Sequence, residues 1–160
     1  MSSSPVLLEQ SRAIPVSVEH AWDVLLPAPL ERVFSRRFAA LPPVRTVQDQ
    51  VGVWGSAVGQ SRTIMLADGG TMREELLTLR RPNEFGYRIS GITGAMRPLV
   101  AGIMGSWSLE PVGTGVRITW SWTLEPASRA ASLAMPVFSW MWHGYARQAL
   151  EEIEGLLLEA

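Results

Sequence analysis

Alternation of apolar and polar residues predicts a series of β-strands through the middle of the chain. The clearest example is 116–124, where every second residue is apolar, so that one face of the strand is hydrophobic. Residues 85–90 and 106–110 have the same period, and Gly113-Thr114 is placed to form the turn before the last strand. We therefore expect an antiparallel meander with one apolar face between about residues 44 and 125.

Apolar residues spaced three and four apart predict helices on both sides of this meander. An extended segment over 6–14 comes first, and Ser17 can then cap a short helix. The spacing predicts a second short helix over 30–38 and one long helix over about 128–160. The apolar stripe of the long helix comprises Trp142, Ala146, Ala149, Leu150, Ile153, Leu157 and Ala160. We predict an α+β domain in which this helix covers the apolar face of the sheet.

The composition favours one globular domain, expected to span residues 1–160. Apolar residues make up 47% of the chain, and 14 basic against 15 acidic residues give a net charge of −1, which argues against a nucleic-acid partner. The chain has no cysteine and only two distant histidines, so we expect no disulfide, no metal and no cofactor. No apolar run approaches a membrane span and no signal peptide is visible. A cytoplasmic protein without integral membrane association is therefore expected.

Three stretches resemble a known superfamily. They are ArgAlaIleProValSerValGluHisAlaTrpAspValLeu over 12–25, the hairpin AlaAspGlyGlyThr over 67–71, and GlySerTrpSerLeuGluPro over 105–111. Followed by the alternating strand and the terminal helix, they are similar to the START-like helix-grip superfamily (SRPBCC), which includes birch pollen allergens and polyketide cyclase/dehydrase-like proteins. The resemblance implies a curved antiparallel sheet wrapped around a long C-terminal helix, with two short helices after the first strand. That superfamily shares no catalytic motif.

The tryptophans are the first candidates for a ligand site. A turn at Gly113-Thr114 places Trp107 opposite Trp120, and Trp122 opposite Gly105, where the missing side chain leaves room. Trp142 meets the same face from the helix, and Ile89 adds an apolar side chain from a neighbouring strand. These indoles either fill a core or form the wall of a flat apolar site. The resemblance favours the cavity.

A pair of charges is expected inside this cavity. If Asp68-Gly69 forms a two-residue turn, Arg62 lies opposite Glu75. Period-two alternation then places both charges on the face that carries Ile64. Such a pair would anchor a carbonyl, phenol or carboxylate of a ligand, and the alternative is an ion pair at the wet margin of the sheet.

Proton-transfer groups are scarce, and Glu75, Tyr87 and His143 are the candidates. Tyr87 alternates with apolar neighbours, so its hydroxyl is a cavity hydrogen-bonding group or a packed structural one. His143 lies at the edge of the helix stripe, where a structural role competes with proton transfer. The glycine-rich segment 92–104 is either a gate over the cavity or a bulged strand. This segment, or a second subunit, is expected to cover Trp140, so the protein is a monomer or a homodimer.

Three functions remain open. The first is binding of an apolar lipid-like or aromatic small molecule between the sheet and the long helix. The second is a polyketide cyclase or dehydratase-like enzyme acting in the same cavity, with the three candidate groups moving protons. The third is a co-chaperone or stress-type interaction module that has a filled core and no ligand.

Overall fold

The computed structural model describes residues 4–159 as one sheet covered by helices. In chain order the elements are β1 (Val6–Ile14), α1 (Val18–Leu25), α2 (Leu30–Val33), β2 (Val44–Gln48), β3 (Ser61–Leu66), β4 (Thr71–Arg80), β5 (Glu84–Ser90), a 3-10 turn (Gly94–Met96), β6 (Val100–Val112), β7 (Gly115–Pro126) and α3 (Arg129–Glu159). All neighbouring strands are antiparallel, in the order β1-β7-β6-β5-β4-β3-β2. The predicted α+β meander with a long C-terminal helix is confirmed.

The β6–β7 hairpin has the expected register. Gly113 adopts a positive φ of 57° in the turn, a conformation that glycine accepts without strain. Trp107 consequently pairs with Trp120, and Gly105 pairs with Trp122. The three tryptophan side chains point to the inner face of the sheet, because alternate residues share a face.

The β3–β4 hairpin differs from the prediction by one residue. Its loop contains three residues rather than two, and Leu66 N–H donates to Gly70 O at 2.8 Å. Gly69 has a φ of 91°, as expected of the left-handed residue that ends a three-residue hairpin loop. Arg62 therefore pairs with Glu74. The predicted pairing of Arg62 with Glu75 is wrong, since a shift of one position exchanges the faces of a strand.

The second short helix ends earlier than its apolar spacing predicts. It stops at Val33, and Phe34 leaves helical geometry with φ −108° and ψ 54°. The Phe34 carbonyl accepts a hydrogen bond from Val44 N–H at 2.8 Å, which ties the chain to β2. Phe38 then forms an isolated bridge with Leu41. The 30–38 spacing therefore reflects two aromatic side chains packed from a loop, not a continuous helix.

Helix α3 buries the predicted stripe against the sheet. Trp142, Ala146, Ala149, Leu150, Ile153 and Leu157 are all buried. Ala160 falls outside the described residues. Towards the end of α3, Arg12 Nε of β1 donates to Glu154 Oε2 at 2.6 Å, which fixes the helix to the edge strand. Within residues 4–159 no helix has both the length and the apolar character needed to cross a membrane.

The first half of α3 keeps an apolar strip in solvent. Leu133, Val137 and Trp140 are 85%, 63% and 62% exposed. Trp140 contacts the ring of Phe38 at 5.2 Å between centroids. The expectation that segment 92–104 covers Trp140 is wrong, because that segment folds onto the β3–β4 hairpin instead.

Segment 92–104 combines a pinned loop with an irregular strand. Thr93 N–H donates to Thr71 O at 2.9 Å, and the two hydroxyls lie 2.8 Å apart. Met96 is buried beneath this loop. β6 then begins at Val100, with a register shift before Gly102. The bulged-strand interpretation therefore holds for the second half of the segment.

Alanine substitutions at the two glycines of α3 should have opposite effects on stability. A Cβ at Gly144 would lie 2.2 Å from the Phe38 ring, whereas a Cβ at Gly155 would meet nothing within 4 Å. Gly155→Ala should raise the free energy of unfolding by roughly 0.5–1 kcal/mol through helix propensity. Gly144→Ala should lower it by about 1 kcal/mol, because displacing Phe38 outweighs that gain. Urea unfolding of both variants measures the difference, and equal stabilisation would contradict the tight contact.

Candidate functional site

An apolar cavity of about 90 Å³ lies between the inner face of the sheet and the helices. Leu25 and Val33 line it from the α1–α2 region, Ile64 and Ile89 from the sheet, and Met96 from the 3-10 turn. Helix α3 closes the remaining side. The volume is below the roughly 300–1,000 Å³ of drug-sized ligand pockets. It is also smaller than an engineered apolar cavity of about 150 Å³ that binds benzene, so an aromatic ligand requires the lining to move outward.

Four tryptophans form one wall of the cavity and pack on each other. Trp107 stacks on Trp120 at 5.4 Å between ring centroids, and Trp120 stacks on Trp142 at 4.8 Å. Trp122 lies 5.9 Å from Trp142. All four line the cavity, and all four are buried. The indoles therefore have both of the roles considered from the sequence: they are part of the hydrophobic core, and they also form a wall of the cavity.

Tyr87 occupies the room that Gly105 leaves. It pairs with Gly105 across β5 and β6, and a Cβ at Gly105 would lie 2.1 Å from the tyrosine ring. The ring crosses the glycine, and its hydroxyl accepts hydrogen bonds from Nε1 of Trp120 at 2.7 Å and Nε1 of Trp122 at 3.0 Å. The space expected for a flat ligand opposite Trp122 is thus filled by a side chain of the protein.

The Tyr87 hydroxyl keeps its proton at neutral pH. Burial raises its pKa well above the ordinary value of 10.0, and the nearby charge of Glu74 raises it further. The two indole N–H groups act in the opposite direction, since they stabilise a phenolate. Because burial dominates, Tyr87 is a neutral hydrogen-bonding group.

Arg62 and Glu74 form a buried ion pair in the cavity lining. Arg62 Nε donates to Glu74 Oε1 at 2.9 Å, and each residue is only 5% exposed. The guanidinium carbon of Arg62 lies 3.8 Å from the ring centroid of Trp54, a favourable cation–π arrangement. The pair satisfies the rule that a buried charge needs a partner.

Burial makes the carboxylate of Glu74 harder to form. The pKa of Glu74 is raised above its ordinary value of 4.5 because desolvation outweighs the charge and the hydrogen bond of Arg62. Glu74 pairs with Ile89 and Leu76 pairs with Tyr87. Glu74 and Tyr87 are consequently diagonal neighbours on the same face of adjacent strands.

Trp54 reaches Arg62 from an irregular loop that one side chain organises. Gln60 Oε1 accepts hydrogen bonds from Gly55 N–H and Ser56 N–H at 2.9 and 3.2 Å. Gln60 Nε2 donates to Val51 O and Val53 O at 3.0 and 2.9 Å. Both acceptor positions and both donors of the amide are used, so the loop is held in a defined shape with Trp54 buried beneath it.

Two of the three candidate proton-transfer groups lie outside the cavity. Glu75 is on the outer face of β4, with its side chain 45% exposed and 3.9 Å from Arg88 Nη1. His143 is half-buried, and its Nδ1 lies 3.1 Å from Oε1 of Gln10 on β1. It does not line the cavity, because the neighbouring Trp142 takes the inward position on α3. The expectation that Glu75 and His143 face the ligand is corrected.

Among the residues of the site that escaped the sequence interpretation are Glu74, Tyr145 and Trp54. Glu74 would have followed from a three-residue hairpin loop, which the glycine at its third position permits. Tyr145 lines the cavity and donates to Pro42 O at 2.9 Å, and its place on the helix fits a wider apolar stripe. Trp54 carries no periodic signal, since its loop position depends on Gln60.

The sheet order, the long C-terminal helix and the apolar cavity between them define a START-like helix-grip protein. Residues 5–157 match the model of the family described as polyketide cyclase / dehydrase and lipid transport. The chain belongs to this family. No curated protein matches the sequence.

Solved structures share the fold at low sequence identity. Norcoclaurine synthase from Thalictrum flavum superposes with a TM-score of 0.73 at 14% identity, over 99% of this chain and 90% of that one. Ara h 8.0201 gives 0.70 at 17% identity, over 98% and 100%. Major latex-like protein 151 from Panax ginseng gives 0.66 at 13% identity, over 96% and 97%. Identities this low establish the fold and carry no function across.

The raised pKa of Glu74 predicts a pH-dependent stability. A folded pKa above the unfolded value of 4.5 contributes stability that is complete below that value and declines as the pH rises through the folded pKa. The free energy of unfolding of wild type relative to Glu74→Gln should therefore fall as the pH is raised from acid to neutral. Denaturant unfolding over this pH range measures it.

Glu75→Gln is the matched control for that prediction. Glu75 is adjacent in sequence and exposed, so its replacement should leave the pH profile of wild type almost unchanged. A Glu74→Gln profile parallel to that of wild type would contradict the desolvated carboxyl.

Proposed function

We propose that this protein binds a small apolar molecule in the cavity between the sheet and α3. The observation that carries the proposal is an apolar cavity whose described lining contains one internally compensated pair of charges, Arg62 and Glu74. Apolar walls with a few placed polar groups are typical of small-molecule sites. The family description, which includes lipid transport, supports the same assignment.

In this proposal the ligand contacts Arg62, Tyr87, Ile89 and the four lining tryptophans. Glu74, which is the observed partner of Arg62, replaces the predicted Glu75 as the acidic residue of the site. The ligand is lipid-like or aromatic, and its size is limited by the cavity of about 90 Å³. A longer molecule requires the α1–α2 region or the loop around Met96 to move. We also keep, as predictions, a cytoplasmic location and a monomeric or homodimeric state.

Ligand binding can be tested with ethylbenzene as a hydrocarbon probe. Binding should be saturable, should change the fluorescence of the lining tryptophans, and should raise the melting temperature in proportion to probe concentration. Native mass spectrometry of protein purified without added probe would identify a retained natural ligand. A filled-core interaction module, the third possibility, gives neither saturation nor a thermal shift, and that outcome would refute the proposal.

A cavity-filling variant locates the binding. Ala28 is buried and lines the cavity, so Ala28→Leu should weaken ethylbenzene binding at least several-fold. Ala127 is exposed and outside the lining, so Ala127→Leu is the control and should bind as wild type does. Equal affinities of the two variants would place the probe elsewhere.

A second candidate function is a polyketide cyclase or dehydratase-like reaction in the same cavity. It is favoured by one observation, the placement of Glu74 and Tyr87 as diagonal neighbours of adjacent strands. A carboxylate whose pKa is raised is a stronger base, and a neutral phenol beside it can polarise a carbonyl. In this version Glu74 takes a proton from the carbon next to a substrate carbonyl, while Tyr87 hydrogen-bonds the developing enolate oxygen.

Proton exchange in deuterated water tests this second function. With acetophenone as the substrate, the protein should accelerate deuterium uptake at the methyl group, as followed by NMR. Glu74→Gln should abolish the acceleration, whereas Glu75→Gln should retain it. Exchange no faster than in buffer would leave binding alone as the proposed function.

A further inference from the structure

The Tyr87 hydroxyl has a hydrogen-bond donor that no described protein group uses. A phenol oxygen carries one O–H donor, and its lone pairs accept hydrogen bonds. N–H groups of Trp120 and Trp122 already donate to this oxygen, at 2.7 and 3.0 Å. Within residues 4–159 the Tyr87 O–H itself has no acceptor. The two indoles therefore hold the oxygen and leave its hydrogen available to the cavity.

The described residues of the lining supply no acceptor for this Tyr87 hydrogen. Glu74 is the one carboxylate among the described residues that line the cavity; its Oε1 accepts the hydrogen bond of Arg62 Nε at 2.9 Å, and no hydrogen bond joins it to the Tyr87 hydroxyl. A buried donor without an acceptor is costly. The missing group is thus an acceptor atom on the ligand.

The charges of the lining restrict this acceptor further. When Glu74 is ionised, Arg62 and Glu74 balance each other, so the described residues of the lining leave no spare positive charge for an anion. A ligand carboxylate would bring a second negative charge close to Glu74 in a desolvated space, which is strongly unfavourable. A neutral carbonyl oxygen accepts a hydrogen bond without that penalty.

We propose that the cavity selects a neutral apolar molecule bearing a carbonyl oxygen, and that Tyr87 donates a hydrogen bond to this oxygen. The proposal rests on the proposed binding function and specifies its ligand class. Ketones, aldehydes and quinones of suitable size belong to this class. Pure hydrocarbons and carboxylates of the same shape are the disfavoured alternatives.

Three probes of similar size separate these alternatives: ethylbenzene, acetophenone and benzoate. Their dissociation constants are measured on the full chain by tryptophan fluorescence at neutral pH. Wild type should bind acetophenone more tightly than benzoate. In Tyr87→Phe, the preference for acetophenone over ethylbenzene should fall roughly three- to tenfold relative to wild type, the usual value of one neutral hydrogen bond.

Tyr145→Phe provides a matched control. The chain has two tyrosines, and both line the cavity. The Tyr145 hydroxyl already donates to Pro42 O at 2.9 Å, so its removal should leave the ketone-to-hydrocarbon preference within about twofold of wild type. A loss of preference in Tyr145→Phe equal to that in Tyr87→Phe would overturn the assignment to Tyr87.

A spectroscopic measurement needs no variant and covers the case in which Tyr87→Phe fails to fold. The infrared carbonyl stretch of carbonyl-labelled acetophenone should move to lower frequency on binding, relative to the same molecule in hexane. An unshifted stretch overturns the carbonyl inference. So does an equal loss of affinity for acetophenone and ethylbenzene in Tyr87→Phe. In either case, binding of ethylbenzene to wild type still supports the cavity as a binding site. Absence of binding by ethylbenzene and acetophenone alike overturns the proposed function as well.

Discussion

The missing side chain at Gly105 is the constraint on which the cavity depends. A Cβ there would lie 2.1 Å from the Tyr87 ring, so any other residue would force the ring out of its place over β6. With glycine, the ring crosses the strand and its oxygen reaches the indoles of Trp120 and Trp122. Those hydrogen bonds satisfy two buried N–H groups that would otherwise be costly. The absence of a Cβ at Gly105 thus allows Tyr87, Trp120 and Trp122 to form one hydrogen-bonded cluster.

The buried ion pair is likewise determined by a local feature, the loop length of the β3–β4 hairpin. A three-residue loop ending in Gly69 turns Arg62 and Glu74 inward together and leaves Glu75 outside. Replacing both charges by apolar groups is often neutral or stabilising in proteins, whereas removing one partner is strongly destabilising. The pair is therefore better explained by the polarity that it gives to the cavity than by its contribution to stability. Trp54 supports this view, because its ring stacks on the Arg62 guanidinium, which is only 5% exposed.

The sequence predicted the order of the elements, but it overestimated the length of α2 and did not determine the details of the site. Alternation over 116–124 and the Gly113-Thr114 turn correctly predicted the pairing of Trp107 with Trp120. Asp68-Gly69 is compatible with two loop lengths, and the difference of one residue decided whether Glu74 or Glu75 faces inward. Periodicity predicts which face of a strand a residue occupies. It does not predict which inward side chain extends over the space left by a glycine on the next strand. Tyr87 was predicted to point inward, yet its position over Gly105 depends on three strands meeting, which no local pattern encodes.

The same aromatic residues hold the core together and define the chemistry of the cavity, which limits how the site can vary. Trp120 stacks on Trp107 and Trp142 while its N–H binds Tyr87, so a substitution there disturbs packing and polarity together. Residues such as Ala28 and Met96 line the cavity from the helical side without taking part in this network. Changes in ligand size are therefore more easily accommodated by the helical side, while the strands β5, β6 and β7 fix the position of the hydroxyl. This division separates what sets the volume of the cavity from what sets its hydrogen bonding.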